Sequence, residues 1–240
     1  MTSHPSNPLR APPHLISLLT RLHTESLTQE SSIPPSSYAP IVSLYATDPP
    51  AASLALDTLM LEKFIALDRD KAELVYQLLV SSKASYVVEA GTSFGVSTIY
   101  LALAVLEVER VTGKRGTVVG TEKEEPKAER ARGYWREAGS DVEERIELRV
   151  GDLRETLATG LQEVDFLLLD IWPPVALPAL KAVLPKLKPG ALVVTDNTIA
   201  SESRYGELLT LLRDPEGDFR STTLPFKGGL EVSVYLPKTG

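Results

Sequence analysis

Five predicted strands of this chain each end at or beside an acidic residue, and acids in such places can bind ligands. The residues at these ends are Glu89, Glu122, Asp152, Asp170 and the pair Asp196-Asn197. The carboxyl ends of parallel strands meet at one edge of a sheet, where open α/β folds bind ligands, so we expect these side chains to line one site. Any one of them, Asp152 above all, has the alternative of being a helix N-cap.

The segment VVEAGTSFGVST, Val87 to Thr98, is predicted to form a strand, a glycine turn and the start of a helix. Gly91 and Gly95 allow a sharp reversal and let a ligand touch the backbone. Ser97 then lies where free amides and the helix dipole favour an anionic group. The alternative is a strand–turn–helix unit that serves packing alone.

The glycine spacing helps to decide which nucleotide this turn binds. A dinucleotide fold would have G-x-G-x-x-G, whereas the two glycines here are spaced G-x-x-x-G. Glu89 would repel a pyrophosphate, but it suits a zwitterion with an ammonium and a carboxylate. The turn therefore favours the methionine moiety of S-adenosylmethionine over NAD.

Glu122 and Asp152 end the next two predicted strands. Glu122 is placed to accept hydrogen bonds from vicinal ribose hydroxyls, which occurs in both NAD and S-adenosylmethionine folds. Asp152 is placed to accept from an adenine amine.

Asp170 and the Asp196-Asn197 pair end strands that we expect to be adjacent. Two carboxylates and an amide oxygen are hard ligands, suited to Mg²⁺ or another hard divalent cation. Without a cation the two carboxylates would repel and one pKa would rise. The alternative is that Asp196 caps a helix and Asn197 is a turn residue.

Composition limits the partners of the protein. The 240 residues carry a net charge of -7 and no cysteine. This balance argues against a nucleic-acid or anionic-membrane binder, and it leaves no disulfide or thiolate site. The uncharged apolar run Ala90 to Leu106 is too short to span a bilayer. We expect a cytoplasmic protein, although the start of the chain, acid-free until Glu25, faintly resembles a transit peptide.

The elements that position these residues follow from hydrophobic periodicity. Residues 1–40 are predicted to be an arm rich in proline and serine, with a short helix over His14–Leu27 and a linker over Ser31–Pro40. Residues 41–240 form the main domain, which begins with helices over Ala51–Ala66 and Lys71–Val80. All three histidines precede the first predicted strand, which excludes a catalytic histidine in the core unless the arm folds back.

From Ser85 onward predicted strands alternate with helices and end in an antiparallel pair, so we expect one doubly wound α/β domain. After the glycine turn the predicted strands are Gly116–Thr121, Arg145–Val150, Val164–Leu169, Ala191–Thr195, Arg220–Leu224 and Leu230–Leu236. The predicted helices between them are Glu124–Ala138, Val175–Leu187 and Ser203–Arg213, with a Pro189-Gly190 turn before the fifth strand.

Four segments together resemble the cation-dependent small-molecule O-methyltransferases, which include catechol and caffeoyl-CoA-type enzymes. They are VVEAGTSFGVST, GTEKEEPKAERAR, VDFLLLDIWPPVALPAL and LKPGALVVTDNT. The resemblance covers about residues 70–237. It implies a Rossmann-like methyltransferase fold, a mostly parallel seven-stranded sheet with an antiparallel C-terminal strand pair and N-terminal helices.

The resemblance also implies roles for individual residues. Asp170, Asp196 and Asn197 match metal ligands, and Asp170 and Trp172 match catalytic positions. The positions that match cofactor contacts are Glu89, Gly91, Thr92, Ser93, Gly95, Ser97, Glu122, Lys123, Asp152, Asp170 and Trp172. The implied partners are S-adenosylmethionine, Mg²⁺, a small hydroxylated acceptor and, by analogy, a second copy of the chain.

One departure weakens the inference about the acceptor. The family commonly reads D-x-W-K, with the lysine as general base, and Pro173 stands in that place here. Lys227 is a candidate replacement, with a solvated loop cation as the alternative. The sequence thus predicts an O-methyltransferase, and its rivals are a fold relative that binds without methyl transfer and an NAD-dependent oxidoreductase. The glycine spacing disfavours the oxidoreductase.

Overall fold

A computed structural model describes residues 7–45, 47–60 and 63–238 of the chain. Its centre is a seven-stranded sheet in the order β3-β2-β1-β4-β5-β7-β6. The strands are β1 Tyr86–Ala90, β2 Thr117–Glu122, β3 Ile146–Val150, β4 Val164–Leu169, β5 Leu187–Asp196, β6 Phe219–Leu224 and β7 Leu230–Tyr235. Strands β1 to β5 pair in parallel, and β7 runs antiparallel to both β5 and β6. The predicted fold class is confirmed.

Ten α-helices are assigned in the described residues. They are α1 Pro13–Ser31, α2 Pro35–Tyr45, α3 Pro49–Met60, α4 Arg69–Ser82, α5 Val96–Thr112, α6 Glu125–Ala138, α7 Ser140–Glu143, α8 Leu153–Thr156, α9 Pro173–Val183 and α10 Gly206–Arg213. None of these helices combines the length and the apolar character that crossing a membrane requires.

Both faces of the sheet are covered, which explains why β4 is apolar throughout. Phe166 and Leu168 pack into one core cluster with residues of α1, α4 and α5. Leu167 and Leu169 pack into the other with residues of α8, α9 and α10. Successive side chains of a strand point to opposite faces, so an uninterrupted apolar run is typical of such a central strand.

The strand order fixes the location of the site. Strand β1 pairs with β2 on one side and with β4 on the other, so the chain changes direction across the sheet there. A crevice opens at the carboxyl ends of the strands at such a point. The side chains predicted to carry chemistry follow these ends.

The N-terminal part is more helical than the sequence predicted. Helix α1 extends to Ser31, and Leu18 and Leu22 lie in the same core cluster as the sheet. Helix α2 begins at Pro35, inside the predicted Ser31–Pro40 linker, because proline fits the first turn of a helix. The boundary predicted at residue 40 therefore falls within a helix.

The predicted fifth strand and the predicted 51–66 helix have different bounds in the structure. The predicted Pro189-Gly190 turn lies inside β5, where the pairing with β4 shifts register and the extra residues form an irregularity. The predicted 51–66 helix ends at Met60, and residues 63–66 are not helical. Residues 61–62 of that prediction lie outside the described part of the chain.

Candidate active site

The glycine turn after β1 has the backbone that its sequence predicts. Gly91 and Gly95 have φ of +98° and +75°, values that favour glycine, and Ser93 also has a positive φ of +50°. A Cβ on Gly91 would lie 2.1 Å from the carbonyl oxygen of Asp170. The turn thus lies directly against the end of β4, which brings the two predicted parts of the site together.

Glu89 is fully buried beneath this turn. Its carboxylate accepts hydrogen bonds from Ser97 Oγ at 2.6 Å, Thr98 Oγ1 at 2.6 Å and Thr92 Oγ1 at 2.9 Å. Burial raises the pKa of Glu89, while these three hydroxyls act in the opposite direction. Glu89 and Ser97 therefore hold the turn to the start of α5, and their direct contact with a cofactor stays a prediction.

Glu122 lies at the end of β2 with its carboxylate held by two backbone amides. Ser93 N donates to Oε2 at 2.7 Å and Glu124 N donates to Oε1 at 2.8 Å. Burial raises the pKa of this carboxyl, and the backbone amides oppose that shift. A carboxylate has about four acceptor positions, so each oxygen keeps a lone pair for a ligand hydroxyl.

The remaining charged residues at this end of the site, Asp152 and Lys123, are more exposed. Asp152 is the N-cap of α8, accepting from Arg154 N at 2.9 Å, and it also pairs with the Arg154 guanidinium. These contacts lower the pKa of Asp152 to about 2. The structure thus shows the capping role that the sequence left as the alternative, and Lys123 beside Glu122 is exposed.

Asp170 directly follows β4 and Asp196 is the last residue of β5, and these two strands are neighbours, as predicted. Burial, followed by the nearby Asp196 and Glu89 carboxylates, raises the pKa of Asp170 well above its usual value. Among the described residues, no donor is placed within hydrogen-bond distance of the Asp170 carboxylate. The nearby Lys71 ammonium acts in the opposite direction, so the negative charge of Asp170 is compensated only in part.

Asp196 is compensated by a lysine that the sequence analysis missed. Lys71 Nζ lies 2.7 Å from Asp196 Oδ1 and 3.2 Å from Asp68 Oδ2. The lysine has an exposed fraction of 0%. It shares the buried face of α4 with Val75 and Leu79, at spacings of four residues. A lysine in an apolar helical position was the signal available in the sequence.

Asn197 completes the predicted metal set. Its backbone has φ of +59°, and its Nδ2 donates to Asp196 Oδ2 at 2.7 Å. The Oδ1 atom faces Gly228, where an added Cβ would lie 2.4 Å away. A half-turn of the amide exchanges these two atoms and would present the oxygen on the Asp196 side.

The chemistry of this donor set fits a hard divalent cation. No cluster of three or more His, Cys, Asp or Glu in the described part of the chain is arranged for a metal. The candidate set is instead two carboxylates and an amide oxygen, which are ligands of Mg²⁺ type. The partly compensated charge at Asp170 is what such a cation would stabilise.

Trp172 and Pro173 lie at the start of α9. Trp172 is half-buried, and the Arg204 guanidinium is 5.7 Å from the centre of its ring. Pro173 occupies the first helical turn, where its missing N–H costs little. Lys227 is exposed and lies 3.4 Å from Glu30, which supports the interpretation of a surface cation.

Helix α1 brings one histidine into the core, as the sequence allowed if the arm folded back. His23 Nε2 lies 2.8 Å from the Tyr100 hydroxyl, and both side chains are buried. Burial, with a smaller contribution from Arg69, lowers the pKa of His23 to about 4. Its hydrogen bond goes to α5 and not to the acids of the site.

Comparison with known proteins agrees with this arrangement. Residues 88–198, just under half of the chain, match a family described as "Methyltransferase domain". No curated protein sequence matches the chain significantly. The strand order and the domain match place the chain in the class of proteins with the Rossmann-like methyltransferase fold.

Solved structures extend the likeness to most of the chain. Cofactor-bound Rv0187 from MTB has a TM-score of 0.65 and 24% identity, covering 82% of this chain and 96% of that one. An O-methyltransferase from Bacillus cereus in complex with SAH has a TM-score of 0.59 and 20% identity, covering 89% and 99%. The O-methyltransferase TomG from Streptomyces achromogenes, involved in tomaymycin synthesis and in complex with SAM, has a TM-score of 0.60 and 20% identity, covering 91% and 98%. These likenesses confirm the predicted Rossmann-like methyltransferase fold.

Proposed function

We propose that this protein transfers a methyl group from S-adenosylmethionine to a hydroxyl of a small, aromatic or natural-product acceptor, with the help of a divalent cation. The observation that carries the proposal is the two-part site. A glycine turn with Glu122 stands at one side of the switch point, and Asp170 and Asp196 stand at the other. The structural neighbours that are named O-methyltransferases support the same reaction.

The cofactor end is built from β1, β2 and the turn. Glu122 is oriented by two backbone amides, so its free lone pairs are fixed before a ribose arrives. Such preorganisation lowers the entropy lost on binding. Lys123 and Asp152 are proposed to border the same nucleotide, with Asp152 acting from its N-cap position.

The acceptor end is built from Asp170, Asp196 and Trp172. Asp170, Asp196 and Asn197 would hold the cation, which when bound supplies Lewis-acid polarisation of an acceptor hydroxyl. The Trp172 ring would form one wall of the acceptor pocket and keep the acceptor oxygen near the methyl donor. Aligning the reacting atoms in this way supplies much of the acceleration of a group transfer.

The acceptor proton has no lysine to receive it at position 173. Pro173 has no ionisable group, and Lys227 pairs with Glu30 at the surface. We propose that the proton leaves to a solvent base, which favours acceptors that are already acidic, such as phenols or enols. The partners are then small molecules and no nucleic acid or membrane. A cytoplasmic location and a homodimer are parts of this proposal.

A direct assay tests the function. The purified protein is mixed with methyl-labelled S-adenosylmethionine and a panel of catechols, flavonoids and polyketides, with Mg²⁺ or with EDTA. We expect labelled product with Mg²⁺ and its loss with EDTA. Full activity in EDTA would contradict the cation's role.

A second candidate function is a protein that binds the cofactor or a pathway intermediate without methyl transfer. Pro173 in place of the family's lysine favours it. No labelled product with any acceptor, together with tight cofactor binding, would make it the better account.

A further inference from the structure

Lys71 is a buried ammonium that the function proposed above does not use. Its Nζ contacts Asp196 Oδ1 and Asp68 Oδ2, and the side chain is shielded from solvent. Lys71 and Asp196 are 125 residues apart in the chain. The contact therefore joins α4 to the end of β5, where half of the proposed cation site lies.

The local setting of Lys71 is unfavourable for a lysine. It lies in the first turn of α4, where the helix dipole disfavours a positive charge. Its neighbours on the buried face, Val75 and Leu79, pack into the hydrophobic core. A buried ion pair is often no more stabilising than apolar side chains of similar volume. Stability alone therefore gives no reason for an ammonium here.

The contact has a geometric consequence for Asp196. Lys71 holds one carboxylate oxygen at 2.7 Å, and Asn197 Nδ2 holds the other at 2.7 Å. Turning the Asn197 oxygen toward a cation gives up the second of these bonds, so Lys71 would be the contact that keeps the Asp196 carboxylate oriented relative to β5. Each oxygen retains a second acceptor position, so Asp196 stays able to bind a cation.

We propose that Lys71 is a positioning residue, whose ammonium orients the Asp196 carboxylate for the divalent cation that Asp196 shares with Asp170. This inference rests on the cation role in the proposed function. Lys71 is buried and acts through Asp196, without touching the acceptor.

Lys71 affects cation binding in two opposite ways, by repelling the cation and by orienting its ligand. The ammonium repels a cation bound to the same carboxylate, so its removal would tighten metal binding if charge alone mattered. Loss of a side chain that orients a metal ligand typically weakens metal binding by about 10- to 100-fold. We expect orientation to dominate.

Binding of Mn²⁺ tests this without measuring catalysis. Free Mn²⁺ is followed by electron paramagnetic resonance as it is titrated into protein saturated with S-adenosylhomocysteine. Lys71→Met should bind Mn²⁺ about tenfold more weakly or worse, with the affinity for S-adenosylhomocysteine within about twofold of wild type. The control is Val75→Ala, which loosens the same buried face of α4 one turn away and should leave Mn²⁺ binding unchanged.

A second variant covers the case in which Lys71→Met does not fold. Lys71→Met leaves the carboxylates of Asp68 and Asp196 without their ammonium partner, and adding Asp68→Asn removes one of these two charges. Asp68→Asn alone is the control for this double variant. The double variant should show the same weakening of Mn²⁺ binding relative to that control.

Three results would overturn the proposal. Wild-type or tighter Mn²⁺ binding by the Lys71 variants would show that the ammonium is only a competing charge. An equal loss in Val75→Ala would show a general effect of loosening α4. No Mn²⁺ binding by the wild type would remove this inference and the cation role together, whereas methyl transfer itself is judged by the labelled-methyl assay.

Discussion

The two ends of the site compensate their buried acids in different ways. At the cofactor end, Glu89 accepts three hydroxyl hydrogen bonds and Glu122 accepts two backbone ones, all from neutral donors. At the acceptor end, Asp196 is held by the Lys71 ammonium, and Asp170 lacks any hydrogen-bond donor among the described residues. The carboxylates of the cofactor end thus have hydrogen-bond donors within the protein, whereas the acceptor end retains excess negative charge.

This difference explains what each end is suited to bind. Neutral donors fix the carboxylates of the cofactor end without adding charge, so a sulfonium-bearing nucleoside meets a preformed surface. Like charges in a low-dielectric site repel, so the acceptor end stores unfavourable electrostatic energy that a cation would relieve. Substitutions at the two ends are therefore expected to have different effects on stability, cofactor binding and methyl transfer.

The largest effect is expected from Asp170→Asn. Loss of a metal ligand and of the charge beside the reacting oxygen should lower methyl transfer by about 10³-fold or more, comparable to loss of a preorganised electrostatic group. The same change removes repulsion with Asp196 and Glu89. The variant should therefore unfold at a higher temperature, by about 2–4 °C for each kcal/mol gained.

Asp165→Asn on the same strand is the matched control for stability. Asp165 accepts from Ser85 and Tyr86 and pairs with Lys188, and these contacts lower its pKa despite burial. Its replacement should lower the melting temperature and leave the reaction rate close to wild type. A lower melting temperature for Asp170→Asn would show that its charge is compensated.

At the cofactor end, Glu89→Gln is expected to destabilise the fold. Its amide nitrogen takes the place of one carboxylate oxygen and cannot accept, so either Ser97 or the pair Thr92 and Thr98 is left unpaired, at a cost of about 1–3 kcal/mol for each donor. Ser97→Ala removes only one donor and should cost about 1 kcal/mol. Urea unfolding measures both, and equal losses in the two variants would contradict a shared network.

The sequence predicted the cofactor end better than the acceptor end for a physical reason. The farthest of the three donors to Glu89, Thr98, is nine positions after it, so the motif VVEAGTSFGVST contains the whole network. The compensation of Asp196 comes from Lys71, 125 residues away. Such a contact depends on where α4 packs against the sheet, and no local pattern contains that information.

The same reasoning accounts for the fold. The five parallel strands were found because they alternate with helical segments and turn signals, and β4 is in addition apolar throughout. The strand β5 was predicted too short because Pro189 and Gly190 read as a turn, and the register shift that admits them is set by pairing with β4. The path of α1 into the core likewise depends on tertiary packing.

The stability of the N-terminal helix should depend on pH through His23. Its pKa is lowered from 6.5 to about 4 in the folded protein, by burial and then by Arg69. The contribution of the neutral His23 side chain to the free energy of unfolding is therefore complete above pH 6.5 and is lost as the pH falls toward 4. The linked loss at pH 5 is on the order of 2 kcal/mol.

His23→Gln should reduce this pH dependence, because glutamine can keep the bond to Tyr100 and does not titrate. His14→Gln is the control, since His14 is exposed on the same helix. The free energy of unfolding is compared at pH 7.5 and pH 5 for the three proteins. An unchanged difference in His23→Gln would assign the acid sensitivity to other groups.

Calorimetric titration of S-adenosylhomocysteine into wild type, Glu122→Ala and Asp170→Asn tests most directly that the two ends act separately. The proposed ribose bonds of Glu122 are charge-assisted and worth about 1.5–3 kcal/mol each, so Glu122→Ala should bind roughly ten- to a hundredfold more weakly or worse. Asp170→Asn should bind as wild type does, because its charge serves the acceptor. The account would be contradicted if the wild type did not bind S-adenosylhomocysteine. It would also be contradicted if Asp170→Asn bound more weakly than wild type while Glu122→Ala bound as tightly as wild type.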